Sequence, residues 1–71
     1  MTNKPRILLV EDESAIADTL RYMLTAEGHE PIWCATGQAA LSAFALSTPD
    51  LVILDVGLPD INGFELFKQL Q

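Results

Sequence analysis

The chain has 71 residues, 49% of them hydrophobic, with few aromatics and a single cysteine, Cys34. This is enough apolar content for a folded core and excludes a disordered segment, while the length leaves room for one small domain. A formal charge of -6 and a pI near 4.3 argue against a segment that grips nucleic acid or an anionic membrane by itself, because both need a basic face.

With Cys34 alone, no intrachain disulfide can form, and the expected setting is the reducing cytoplasm. Lys4 and Arg6 precede an apolar run, Ile7 to Val10, that is too short for a signal peptide or a membrane span and ends in Glu11-Asp12-Glu13.

Arg6 to Val10 reads as a strand of the buried, parallel kind: short, aliphatic, without alternation, and stopped abruptly by acids. Ser14 or a preceding acid can cap the next helix, with Glu13 assigned to the helix start. Ile16, Leu20, Met23 and Leu24 then form an apolar stripe, with Asp18, Arg21 and Glu27 on other faces, and Gly28 stops the helix. His29 follows as an exposed loop residue with little claim to be a ligand.

Glu30 to Cys34 is a second strand, placed at a sheet edge by Pro31, with Ile32 and Trp33 on opposite faces. Thr36 is an N-cap for a second helix whose buried stripe is Ala40, Leu41, Phe44 and Ala45, and Ser47-Thr48-Pro49 ends it. Leu51 to Leu54 is a third strand, fit for cover on both faces, and it runs straight into Asp55. The turn-forming stretch Gly57 to Gly63 follows, with Asn62 as cap of a third helix carrying Phe64, Phe67 and Leu70. Trp33, Phe64 and Phe67 are read as packing residues rather than a stacking platform.

Strand, helix, strand, helix, strand, helix predicts a doubly wound α/β fold with a parallel sheet. Right-handed crossovers with the proline strand at an edge favour the order 2-1-3. In that order Glu11 and Asp12 emerge beside Asp55, one strand spacing away, at the sheet end where such folds bind ligands. Singly, each of these acids is more often a helix-start or solvated residue than a functional one. Three bare carboxylates in one place repel and raise their own pKa values, which invites a divalent cation. Hard oxygen ligands, few in number and without an EF-hand loop, favour Mg²⁺. A carboxylate beside such an ion can attack phosphorus and yield an aspartyl phosphate.

The stretch Ile7-Leu8-Leu9-Val10-Glu11-Asp12-Glu13 resembles the first strand and acidic pair of a bacterial response-regulator receiver domain. Leu51 to Gly63 is similar to that family's phosphoacceptor strand and loop. The resemblance spans the whole chain and is nearest to receivers attached to winged-helix DNA-binding domains, the OmpR/PhoB type. It implies a flavodoxin/CheY-like fold and a phosphoacceptor rather than an ordinary enzyme. Asp55 would accept a phosphoryl group from a sensor histidine kinase; Asp12 and Asp55 would bind Mg²⁺ directly, Glu11 through water, and the backbone carbonyl of Gly57 would be a further ligand. Glu11 stands where many members have aspartate. A complete receiver has five strands, so residues 1–71 are expected to be a truncated domain holding only the first three βα units. The strand 4 hydroxyl and strand 5 lysine would be missing, and the fragment is expected to be inactive. DNA would be bound by an output domain outside it.

Two enzyme rivals and one bland alternative stand against this reading. A Rossmann-type nucleotide site needs a Gly-rich turn where this chain has Glu-Asp-Glu. A metal-dependent phosphatase with an aspartate nucleophile usually places a second aspartate two residues later, where this chain has Gly57. The bland alternative is a structural interaction module. Finally, Leu51 to Leu54 carries no charge, proline or glycine, so as an edge of a three-stranded sheet it is expected to template self-association.

Overall fold

The computed structural model describes residues 4–55 and 57–71; Met1–Asn3 and Val56, the latter inside the phosphoacceptor-like stretch, lie outside the described residues. The elements are β1 (Arg6–Val10), α1 (Ser14–Ala26), β2 (Glu30–Cys34), α2 (Gly37–Leu46), β3 (Leu51–Leu54) and α3 (Gly63–Leu70). The three strands form one parallel sheet in the order β2-β1-β3, as the crossover argument predicts. Stepping from β1 outward to β2 and back past β1 to β3 puts α1 on one face and α2 with α3 on the other.

The registers Leu9↔Trp33 and Leu9↔Ile53 define the face under α1, and Leu8↔Ile32 and Leu8↔Val52 the face under α2 and α3. On the second face Leu8, Val10, Cys34, Ala40, Leu58 and Leu66 make the core, with Ile32, Val52 and Leu54 packed against it. The central β1 is covered on both sides, Ile7 to Val10 all being buried. The cover expected on both faces of Leu51 to Leu54 is not found. Leu51 is 56% exposed and the rest of β3 only half-buried, because α1 packs towards β2 and leaves the near face of the other edge open.

Local chemistry sets the element ends. Gly28, at φ 86°, reverses the chain after α1 while its N–H donates to Thr25 O and that of His29 to Leu24 O, a paired closure that favours glycine. This turn folds His29 inward, so it is half-buried rather than exposed, and among the described residues its Nδ1 has no hydrogen-bond partner. Thr36 Oγ1 accepts from Ala39 N, and Asn62 Oδ1 from Phe64 N, the two caps expected. Glu13 occupies the N-cap of α1, but its side chain makes no capping bond.

Each helix turns a somewhat different face inward than the apolar spacing suggests. In α1 only Ala17 is fully buried, while Ile16 and Met23 are largely exposed. In α2, Ala43 packs against the core and Ala45 faces out. In α3 the inward residues are Gly63, Leu66 and Leu70, with Phe64 69% and Phe67 53% exposed. A helix apolar on several sides takes its rotation from the surface it meets, not from its own spacing.

Candidate functional site

At the carboxyl end of the sheet β1 passes directly into Glu11 and Asp12, and β3 into Asp55. The Asp55 N–H donates to Val10 O at 2.9 Å, continuing the ladder and holding the aspartate beside the end of β1. Glu11 is fixed on its other side, its N–H donating to Cys34 O at 3.0 Å and its carbonyl accepting from Trp33 Nε1 at 2.8 Å. The backbone of Glu11 is thus tied twice to the end of β2, and the residue before it, Val10, to Asp55.

One oxygen atom from each of Glu11, Asp12 and Asp55 lies within 4.8 Å of the others, Asp12 being exposed and the other two half-buried. Around an octahedral Mg²⁺ with oxygens at about 2.1 Å, adjacent ligands stand roughly 3 Å apart and opposite ones roughly 4.2 Å apart. The three carboxylates therefore fit a small hard cation with little closure.

The electrostatics separate these acids. Loss of water raises the Glu11 pKa, and the nearby Asp55 charge adds to the rise although Glu13 N–H donates to Glu11 Oε2 at 3.2 Å. Asp55 moves the other way: the Gly57 N–H, donating to Asp55 Oδ1 at 3.0 Å, lowers its pKa. Between the two, Glu11 is the better proton holder and Asp55 the better anion. Gly57 thus joins the site through its amide, as donor to Asp55.

The stretch following Asp55 is anchored at several points. Leu58 is buried in the core. Asp60 spans to another element, its Oδ1 accepting from Gly37 N at 2.8 Å and its Oδ2 from Gln38 N at 2.9 Å. Ile61 packs so closely on α2 that a methyl group at Gly37 would overlap its Cγ2. Sequence reasoning took Asp60 for one turn former among several and Trp33 for a packing residue. Their partners lie 22 or 23 positions away, beyond any local signal.

A carboxylate triad at this sheet end, fed by strands in the order 2-1-3, coincides with a match of the response regulator receiver domain to residues 7–71. The chain belongs to that family. Transcriptional regulatory protein CreB of Escherichia coli (strain K12) is 53% identical over 64 residues, which cover 90% of this chain and 28% of the relative. The CheY-like receiver from Methanospirillum hungatei superposes with a TM-score of 0.93 at 34% identity, over 96% of this chain and 54% of that one. Response regulator TrrA from Thermotoga maritima, solved in complex with Mg²⁺-BeF, gives a TM-score of 0.89 at 39% identity over 93% of this chain and 57% of its own. The chain therefore spans about half the length of these solved chains and under a third of the curated relative. Among the described residues no helix is long and apolar enough to cross a membrane.

Proposed function

We propose that this receiver is the phosphoacceptor of a two-component phosphorelay, in which Asp55 takes a phosphoryl group from the phosphohistidine of a sensor histidine kinase with Mg²⁺ as cofactor. The observation that supports it is the meeting of Glu11, Asp12 and Asp55, delivered by two adjacent strand ends, in a chain of the receiver family. Asp55 is held towards its ionised form by the Gly57 amide, which is the form a nucleophile needs. An Asp55 oxygen forms the new bond to phosphorus as the bond from phosphorus to the imidazole nitrogen breaks, and that electron pair returns to the imidazole.

Asp12 and Asp55 would hold Mg²⁺ directly, Glu11 through water, and Gly57 through its backbone carbonyl. When bound, the ion supplies neutralisation of the charge on the transferred group. The residues themselves bring the anionic oxygens together and keep Asp55 oriented through its two backbone anchors, Val10 O and Gly57 N.

The partners proposed are a sensor histidine kinase, which this receiver would meet in the cytoplasm, and, in the full-length protein, a DNA-binding output domain. The second rests on relatives that are transcriptional regulators and extend well beyond the matched segment. The open edge and half-covered face of β3 are proposed as the surface through which the 71-residue chain self-associates.

The test is chemical. Incubating the full-length protein with acetyl phosphate and Mg²⁺ should add one hydroxylamine-labile phosphoryl group, located at Asp55 by peptide mass analysis. Asp55→Asn should abolish it. Phosphate retained in that variant, or found on serine or threonine, would overturn the assignment.

A further inference from the structure

We propose that Asp60 is a positioning residue for the acidic site: by binding the first two amides of α2 it fixes the loop that carries Gly57 past Asp55, and so raises the affinity of the site for a divalent cation. The inference rests on the reading of Glu11, Asp12, Asp55 and Gly57 as the cation site.

The loop between Asp55 and α3 contains Gly57 and is pinned by groups of different kinds. Its apolar anchors are Leu58 in the core and Ile61 against Gly37, contacts that lack the directionality of a hydrogen bond. Among the described residues the Asn62 side chain bonds only within the start of its own helix, to Phe64. Among the described residues Asp60 is the one polar side chain of this loop that reaches another element, and both its oxygens are engaged, at 2.8 and 2.9 Å. Two charge-assisted bonds from a forked group fix position and orientation together.

The element it grips is the informative part. The α2 helix packs on β1 and β2, and Ala40 near its start belongs to the core with Val10 and Cys34. Val10 leads directly into Glu11, and Cys34 O holds the Glu11 amide. Through Asp60 the loop after β3 is therefore referenced to the same rigid frame that carries the other two carboxylates. A helix start can satisfy its free amides with water, so the bridge matters chiefly for where the loop is held. Mg²⁺ demands near-octahedral geometry, and a loop that must be ordered on binding subtracts that cost from affinity.

The control comes from the same helix start. Thr36 Oγ1 accepts from the next amide, Ala39 N, a bond that stays within the helix start. Titration calorimetry of Mg²⁺ into the full-length protein should show Asp60→Ala binding weaker by about tenfold, the low end of what outer-shell partners contribute. Asp60→Asn, which keeps one acceptor, should fall between. Thr36→Ala should lower Tm yet leave Mg²⁺ affinity within about twofold of the parent, since its bond bears on α2 alone. Unchanged affinity in Asp60→Ala, or equal loss in Thr36→Ala, would overturn the inference while leaving the cation site intact. Should the parent bind no Mg²⁺, or Asp12→Asn bind as well as the parent, the site reading itself falls and the inference with it.

Discussion

The indole Nε1 of Trp33 donates a hydrogen bond of 2.8 Å to the carbonyl oxygen of Glu11, so a side chain of the edge strand β2 holds the backbone at the point where the acidic pair begins. The same ring lies 5.5 Å from the guanidinium carbon of Arg21 on α1. Trp33→Phe keeps the apolar ring but removes the donor, leaving a part-buried carbonyl short of one partner. A loss of about 1 kcal/mol is expected in urea denaturation. Trp33 is the only tryptophan, so its emission should also change on Mg²⁺ addition and stay constant in Asp12→Asn.

Metal linkage offers a second measurement. A ligand that binds only the folded state stabilises it by mass action, about 1.4 kcal/mol when its concentration is ten times its dissociation constant. Thermal melts of the full-length protein should therefore rise with Mg²⁺, and Asp12→Asn should abolish the rise. A melt indifferent to millimolar Mg²⁺ in the parent would contradict the shared site.

The orientation of α3 can be checked by paired truncations. Leu66 is fully buried in the core, whereas Phe64 is 69% exposed. Leu66→Ala should cost about 2 to 5 kcal/mol, and Phe64→Ala no more than about 0.5 kcal/mol. The reverse ranking would mean that the helix is rotated towards its phenylalanines.

Acid sensitivity should be partly localised at Asp60. The Gly37 amide, with that of Gln38, lowers its pKa from the ordinary aspartate value of 3.8. Because the folded-state value is depressed, its stabilisation is present above the ordinary value and is lost as pH falls through the folded one. The Tm difference between the parent and Asp60→Asn should accordingly be greatest near neutrality and shrink below about pH 4. A difference that stays constant down to strong acid would show that the charge on Asp60 contributes nothing.

Self-association of the 71-residue chain should depend on β3. Its outer edge is unpaired among the described residues and Leu51 is 56% exposed, whereas the opposite edge, β2, carries Glu30 and Pro31. Sedimentation over a dilution series should show concentration-dependent species, reduced by Leu51→Lys, which places a charge on the edge at an exposed position. A monodisperse monomer at every concentration would count against the edge argument.

The elements of this receiver were legible in its sequence because their signals are local. The runs Ile7 to Val10 and Leu51 to Leu54, the reversal at Gly28 and the caps at Thr36 and Asn62 each depend on chemistry within a few residues. The strand order was legible too, since crossover handedness is common to all such chains and Pro31 marks its strand as an edge. Once that order is set, the convergence of Glu11, Asp12 and Asp55 follows from where each strand stops. Only the tertiary structure decided which helix faces turned inward. Phe64, Leu66, Phe67 and Leu70 surround much of α3, and the sheet selected Leu66 and Leu70 because they meet the face already lined by Val10, Val52 and Leu54. It likewise left β3 half-covered, since a continuous apolar run states what a strand could bury and not what arrives to bury it. The bonds from Asp60 to Gly37 and from Trp33 to Glu11 were beyond the sequence for the same reason: each joins residues 22 or more apart through a side chain aimed across elements, a direction that exists only after the chain has packed.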